Sequence, residues 1–543
     1  MIASRSEVSA AGSAASAPSS AGATAWAAPG GLVLLGAASA LVYYTQWTLP
    51  WSIWRLWQQP HLDYAFISGY TREGQARYLG SFLLLFALQY VAYRLLRARP
   101  ASGPLELILI GQAGFGALAI VIYPVAALDL YDYLMYGRIV LDYGGNPFLQ
   151  PPSAFPDPLV GFSPWPNERS VYGPLWQVIS LAPTALSNGS VLAGLLLFKA
   201  LALLCFVACS VVIWEILQTI APARAPAGTL LFAWNPLLLF ELVGNGHNDV
   251  VMVLFLLLAI LVLVRGPRLL VFPLLAAAVL TKLPVVALGP AFLLGLLRRP
   301  AAWRQRAAWI VGGGLLGLGL AVALYAPFWE GRETLYFLSR GNWFTASLPT
   351  MLREYLRQSY PFEEAGRLTA TLVGLGFFLF VVARMGLYWR AERRAEAAGS
   401  ASSVSPTAGH AADAPGQLVP TRASDASPWD AWLSAAHDVT FVYLAFACLW
   451  WQPWYLAWLV ALAALLPSRL VHERALLFCY GGAINYVVFK YIWPVFQPMT
   501  YTQIMGLSVI LIFGLPLLHL ACTLGLGRLA PRRATGVPAE ATA

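Results

Sequence analysis

Charge is what this chain has least of. Asp, Glu, Lys and Arg make up 11% of its 543 residues, against about 25% in a soluble protein. That scarcity excludes a water-soluble globular enzyme. Cysteine is also sparse. Cys205, Cys209, Cys448, Cys479 and Cys522 lie inside apolar segments without CxxC spacing, which argues against a disulfide framework or a cysteine metal site. The alternating ten-residue segments of a membrane β-barrel are missing, and so is any internal repeat. The first apolar segment, residues 31–48, has no basic flank and reads as a retained span rather than a cleaved signal peptide. The net charge of +9 is mostly arginine at loop positions. It reports membrane topology and implies no nucleic-acid partner.

What is present is apolar length. Hydrophobic residues make up 59% of the chain, and runs of about eighteen or more recur along it, each able to cross a hydrocarbon core of about 30 Å as a helix. The fold class is therefore all-α: a polytopic integral membrane protein of about twelve to fourteen transmembrane helices. The expected organisation begins with a disordered tail (1–28) and a transmembrane module (29–390) carrying extracytoplasmic loops 129–189 and 328–367. A flexible cytoplasmic linker (391–427), C-terminal membrane helices (428–526) and a cytoplasmic tail (527–543) follow.

Basic residues favour the cytoplasmic side. Four clusters fix the orientation: Arg94–Arg99, Arg298–Arg306, Arg384–Arg394 and the tail "GRLAPRR". With all four inside, both termini are cytoplasmic in a multi-pass plasma-membrane protein. The short segment 172–187 conflicts with this parity if it crosses, and is expected to lie along the outer interface. The long apolar stretch around Lys282 and Pro284 is expected to be two short helices meeting at that lysine. The same arginine-based topology gathers the unusual polar residues on the outer face. They are Asp129, Asp132, Arg138, Asn146 of "GGNPF", His247–Asn248–Asp249, Lys282, Arg340, and Gln452 and Trp454 of "WWQPWY". Polar groups at membrane depth are costly and mark function.

Asp129 and Asp132 stand at (i, i+3) and share a helix face. Two carboxylates so close need a counter-cation, for which Arg138 and Lys282 are candidates, or one of them takes up a proton. A carboxylate at the interface suits general-base work on a hydroxyl. A glycosidase also needs an acid for the leaving oxygen, whereas a phosphate departs as a stable anion. A base plus fixed cations is thus enough to move a sugar from a lipid-linked phosphate. His247 and Lys282 are candidates to hold that phosphate. Tyr133, Tyr136, Trp343 and Trp454 suit sugar stacking. Competing structural readings stand beside these: Asp129 as a helix cap, His247–Asn248–Asp249 as a capping turn, Lys282 snorkelling to the interface, "WWQPWY" as an interfacial belt, and Tyr172-Gly-Pro as a geometric turn. His437–Asp438 reads as a polar pair at a helix end, without catalysis or metal.

The segments "DLYDYLMYGRIVLDYGGNPF", "VYGPLW", "WNPLLLFELVGNGHNDVVM", "LTKLPVV" and "QPWYLAWLV" resemble the polyprenyl-phosphate-mannose-dependent mannosyltransferases of the GT-C superfamily. The resemblance covers roughly residues 129–459. It implies an inverting transferase that takes a sugar, mannose foremost, from a polyprenyl-phosphate donor at the extracytoplasmic face and passes it to a cell-envelope glycan or glycolipid acceptor. It places the catalytic aspartate at Asp129, with Asp132 a second acid where many relatives are expected to be neutral, so the choice between the two stays open. The partners expected are membrane lipids, the lipid-linked sugar and the acceptor, with no cofactor and no divalent metal implied. Arabinose in place of mannose, and a lipid or sugar transporter or flippase, remain alternatives.

Overall fold

Apolar runs bounded by caps and prolines set the helices, and the chain is all-α wherever the computed structural model describes it, at residues 20–99, 104–402, 427–496 and 499–529. α1 (Ser20–Val42) continues as a π-helical turn to Thr48. It begins within the stretch expected as a tail; residues 1–19 lie outside the described residues. The Thr71 hydroxyl accepts from Gly74 N at 3.1 Å and starts α2 (Arg72–Ala98). α3 (Leu105–Ile120) then leads to two short helices, α4 (Asp129–Leu141) and α5 (Pro174–Leu186), which pack on each other. Each has 13 residues, a rise of about 20 Å, short of the hydrocarbon core. Ser190 caps α6 (Val191–Ile220).

Breaks in the next segments follow local chemistry. Pro236 has no N–H to continue α7 (Ala225–Ala233). The Asn235 carboxamide accepts from Leu237 N and Leu238 N at 3.1 and 3.2 Å, so the helix restarts there with a 44° bend. α8 (Asp249–Arg265) ends at Gly266, whose φ of 86° makes it a helix stop, with Pro267 beyond. α9 (Val271–Thr281) stops at Lys282, which is extended. Pro284 then opens a 3-10 stretch, Leu283–Leu288, that feeds α10 (Gly289–Leu297). The two short helices expected around Lys282 are thus present.

The chain continues through α11 (Gly313–Tyr325), α12 (Phe362–Ser402), α13 (Asp430–Val442), α14 (Leu456–Ala464), α15 (Arg469–Val487) and α16 (Tyr501–Leu529). α12 runs into the expected linker as helix, and residues 403–426 and 530–543 lie outside the described residues. Among the described residues, six helices are long and apolar enough to cross a membrane, and the bent pair around Pro236 makes a seventh. The other expected spans occur as shorter apolar helices, Leu105–Ile120, Arg268–Thr281, Leu283–Leu297 and Pro453–Ala464 among them. α8 packs against both α6 and α9.

One contact joins the segment between α4 and α5 to the end of α9. Gly173 N donates to Thr281 O at 3.2 Å, and a Cβ on Gly173 would lie 1.9 Å from the Leu280 carbonyl oxygen. Only glycine permits that approach. It seats Tyr172 beside the end of α9, where Lys282 emerges. The Tyr172-Gly-Pro turn is geometric, as expected, and it also delivers a side chain to the site.

Candidate active site

α4 presents Asp129 and Asp132 to a cavity of about 1090 Å³, whose wall also holds Tyr136, Tyr172, Lys282, Gln452 and Trp454. The two acids share a face, as their spacing requires, but their surroundings differ. Asp129 is half-buried and accepts from the Tyr172 hydroxyl at 3.0 Å. Its side chain caps no helix: Leu128 takes the cap position. Asp132 is 1% exposed and accepts from the Ser163 hydroxyl.

Behind Asp129 lies a buried imidazole between two carboxylates. His247 Nδ1 is 3.6 Å from Asp129 Oδ2, and its Nε2 is 3.4 Å from Glu241 Oε2. The imidazole is fully buried and stacks on Trp454 at 3.7 Å. Glu241 also accepts from Asn245 at 3.0 Å. The turn that aims His247 depends on Gly246, at φ 76° and close against Leu130.

These contacts separate the two acids chemically. Burial alone would raise the Asp129 carboxyl, but the neighbouring His247, the Tyr172 hydroxyl and the Lys282 charge hold it below the ordinary carboxylate range. Burial pushes Asp132 well above that range. Its Ser163 hydrogen bond opposes the rise and the Asp129 charge adds to it. Burial disfavours charge on His247, yet Asp129 and Glu241 on either side outweigh it and push the ring up to about 9.

A pH dependence follows. The His247 value lies above its ordinary 6.5, so the folded state binds the proton more tightly than the unfolded chain. The stabilisation is full below about pH 6.5 and is lost as pH rises through the folded value. Thermal unfolding in detergent should show wild type well above His247→Gln at low pH, with the gap shrinking as pH passes about 9. A gap that is constant with pH would mean the ring is not a charged partner.

Several expected residues have other engagements. Arg138 is not the counter-cation of the acids. It binds Asp157 at 3.0 Å and the Gly189 carbonyl at 2.8 Å. At about 100° per residue, nine positions place it on the opposite side of α4 from Asp129. His247, expected to hold phosphate, lies buried behind the carboxylate and supplies its counter-charge. Lys282 lines the cavity but has a partner: its Nζ donates to Asp249 Oδ2 at 2.5 Å and lies 4.8 Å over the Tyr455 ring, while Trp458 Nε1 holds Asp249 Oδ1 at 2.8 Å.

Asn146 joins loops 129–189 and 328–367, donating to Phe328 O at 2.8 Å and Glu330 at 3.3 Å. Tyr133 packs edge-on against Tyr172 and Trp176, and Tyr136 donates to Glu168 O at 3.0 Å. Asn248 takes the N-cap position of α8 without a side-chain cap bond, and its buried carboxamide has no hydrogen-bond partner among the described residues. Arg340 falls in the 3-10 stretch Gly331–Asn342, and its side chain lies outside the described residues. His437 and Asp438 form a polar pair that Arg384 joins at 2.8 Å. Among the described residues no group of three His, Cys, Asp or Glu side chains is arranged to hold a metal ion.

Glu241 and Lys199 escaped the sequence reading. Each is a single charge inside an apolar run, and that isolation was the available signal. Lys199 is fully buried and donates to the carbonyls of Ile122 and Gly244, which fixes the strands of chain entering α4 and the His247 turn. Ser163 was missed because serine in a loop carries no signal of its own.

The model of a family described as "Alpha-(1->6)-mannopyranosyltransferase, N-terminal domain" matches residues 25–298. An alpha-(1->6)-mannopyranosyltransferase A of Corynebacterium glutamicum is 25% identical over 185 residues, 32% of this chain and 37% of that protein. Its namesake in Mycobacterium tuberculosis is 28% identical over 148 residues, 26% of this chain and 28% of that protein. An alpha-(1->6)-mannopyranosyltransferase B of C. glutamicum is 30% identical over 150 residues, 26% of this chain and 24% of that protein. The matched regions therefore span well under half of these relatives. No solved structure matches.

Proposed function

This chain belongs to the alpha-(1->6)-mannopyranosyltransferase family, and from that premise we propose that it transfers mannose from a polyprenyl-phosphate donor to a cell-envelope glycan or lipid-linked acceptor at the extracytoplasmic face. The observation that carries the proposal is Asp129: a carboxylate kept ionised by His247, held by Tyr172, and open to a cavity that also contains Lys282. In the proposed reaction Asp129 accepts the proton of the acceptor hydroxyl. The freed oxygen pair forms the bond to the sugar anomeric carbon from the side opposite the phosphate. The bond to the phosphate oxygen breaks, its electron pair leaves with polyprenyl phosphate, and the anomeric centre inverts. Negative charge grows on the phosphate, and the Lys282 ammonium is placed to stabilise it. His247 keeps the base oriented and ionised until the proton arrives. The family description favours mannose over a pentose.

Purified protein given polyprenyl-phosphate mannose and a mannoside acceptor should release polyprenyl phosphate and extend the acceptor by one hexose. Lipid movement across vesicles without any product would replace this reading with a flippase.

The membrane face has its own test. The arginine clusters and the shortness of α5 favour loops 129–189 and 328–367 outside, the two being joined by Arg169–Glu333 at 3.0 Å. Single cysteines at exposed Asn167 and Ser190, on either side of α5, should both react with an impermeant thiol reagent from outside intact cells, in a cysteine-free background. Reaction of Ser190→Cys from the cytoplasmic side alone would make α5 a crossing segment and overturn this arrangement.

A further inference from the structure

Three tryptophans from three separate segments meet on the cavity wall. Trp165 comes from the first outer loop, Trp343 from the second, and Trp450 from the turn before α14. Their ring centroids are 5.7 Å apart for Trp165–Trp343, 6.2 Å for Trp165–Trp450 and 5.2 Å for Trp343–Trp450, with interplanar angles of 47°, 65° and 54°. All three line the cavity that contains Asp129, so they are not simply a belt facing lipid. Trp165 is 40% exposed, a high value for an indole held in a cluster.

The cluster is built rather than incidental. Thr345 donates to Trp451 O at 2.7 Å and Ser347 to Leu449 O at 3.1 Å, clamping the Trp343 loop onto the Trp450 turn. On the other side the Ser163 hydroxyl does two things. It accepts from Trp165 N at 3.1 Å and donates to Asp132. Asp132 lies one helical turn from Asp129 on α4, so the turn that carries the proposed base also anchors the indole cluster. Ser163 and Asp132 are 2% and 1% exposed, so the link is shielded from water.

We propose that Trp165, Trp343 and Trp450 form a stacking platform for a saccharide unit of the acceptor, and that Asp132 is a positioning residue that holds this platform in register with Asp129 through Ser163. The proposal rests on the transferase reading and adds to it the place and chemistry of acceptor recognition. Sugar rings present C–H faces that lie on indole faces and hydroxyls around their edges. The platform offers the faces, and Gln452 and Arg169 on the same wall offer donors for the edges. The cavity lining that follows Lys282 in the chain, Leu283 and Pro284, is apolar. A cation beside apolar side chains suits a lipid-linked phosphate, which leaves the indoles for the saccharide.

The test uses the full-length protein in detergent, polyprenyl-phosphate mannose as donor and an octyl α-1,6-linked mannose disaccharide as acceptor. Trp343→Ala and Trp450→Ala should each raise the acceptor KM about tenfold or more, the scale of losing one aromatic anchor, while kcat at saturating acceptor changes far less. Ser163→Ala and Asp132→Ala should raise the same KM. The conservative Asp132→Asn, which keeps an oxygen for Ser163, should rescue it. If the alanine variants fail to fold, Trp343→Phe and Trp343→Leu separate the ring from its volume: Phe retains disaccharide binding and Leu loses it, read by titration calorimetry without donor.

An unchanged acceptor KM in folded Trp343→Ala and Trp450→Ala overturns the platform. An inactive Asp132→Asn beside a normal Ser163→Ala overturns the positioning role. If the wild type transfers no mannose, the transferase reading fails by itself. Calorimetric binding of the disaccharide still decides the platform.

Discussion

Asp129→Asn should lower turnover about a hundredfold or more, the scale of losing a general base, in a protein that stays folded. The carboxamide has nearly the same shape, and its oxygen still accepts from the Tyr172 hydroxyl that Asp129 engages at 3.0 Å. His247 keeps Glu241 as a partner at 3.4 Å, so no buried cation is left alone. What disappears is the ability to take a proton. Asp132→Asn provides the contrast, because burial pushes the Asp132 carboxyl well above the ordinary range and Asp132 is bonded to Ser163. Single-turnover rates, with thermal unfolding as a folding control, decide between them. A normal rate for Asp129→Asn with a dead Asp132→Asn would exchange the two roles. Normal rates for both would remove a carboxylate base from the mechanism.

The contrast between these acids also shows what the sequence could and could not convey. Their spacing put them on one face of a helix at the end of an apolar segment, and they stand on one face of α4, at the cavity. Spacing says nothing of the depth of that face. Depth is decided by loops far away in sequence: Ser163 covers Asp132, while Tyr172, held by the Gly173 turn, reaches Asp129 and leaves it half open. The same limit applied to the counter-cation. Arg138 was the nearest basic residue in sequence, yet helical periodicity alone turns it away from Asp129, and Asp157 captures it. His247 is 118 positions beyond Asp129, and it arrives through the bend at Asn235–Pro236 and the turn at Gly246. The break at Lys282 and Pro284 was legible, because proline announces it locally, whereas the bend at Pro236 fell inside a run read as one span. Which side chains the broken ends bring together is a property of packing. Trp454 illustrates this: an interfacial belt and a sugar platform were both on offer, and the ring stacks on His247 while also lining the cavity.

Lys282 carries the second large effect, and its pairing changes how the effect must be measured. An ammonium in an apolar stretch was expected to await an anionic ligand. In the fold it already donates to Asp249, which is fully buried. Lys282→Met would therefore do two things at once. It removes a cation from the cavity wall, and it leaves Asp249 as a buried carboxylate with Trp458 as its one remaining side-chain donor among the described residues. Breaking a buried pair from one side costs about 3–5 kcal/mol, enough to threaten folding by itself. The double variant Lys282→Met/Asp249→Asn separates the two consequences. The carboxamide carries no charge and still accepts from Trp458, so thermal stability should recover most of what the single variant loses. Turnover should not recover. If Lys282 stabilises the phosphate as its bond to the sugar breaks, both variants should lie about 10²–10³-fold below wild type in kcat, the scale of removing one fixed donor from a developing anion. Binding of free polyprenyl phosphate should weaken less, because the contact tightens as charge develops. Arginine at the position should rescue only partly, since a planar fork replaces a point charge. Recovery of both stability and kcat in the double variant would reduce Lys282 to a neutraliser of Asp249, and the phosphate would then need another cation on the cavity wall. Lys490, which lines the same cavity and lies 3.8 Å from Asp63, would be the next residue to replace.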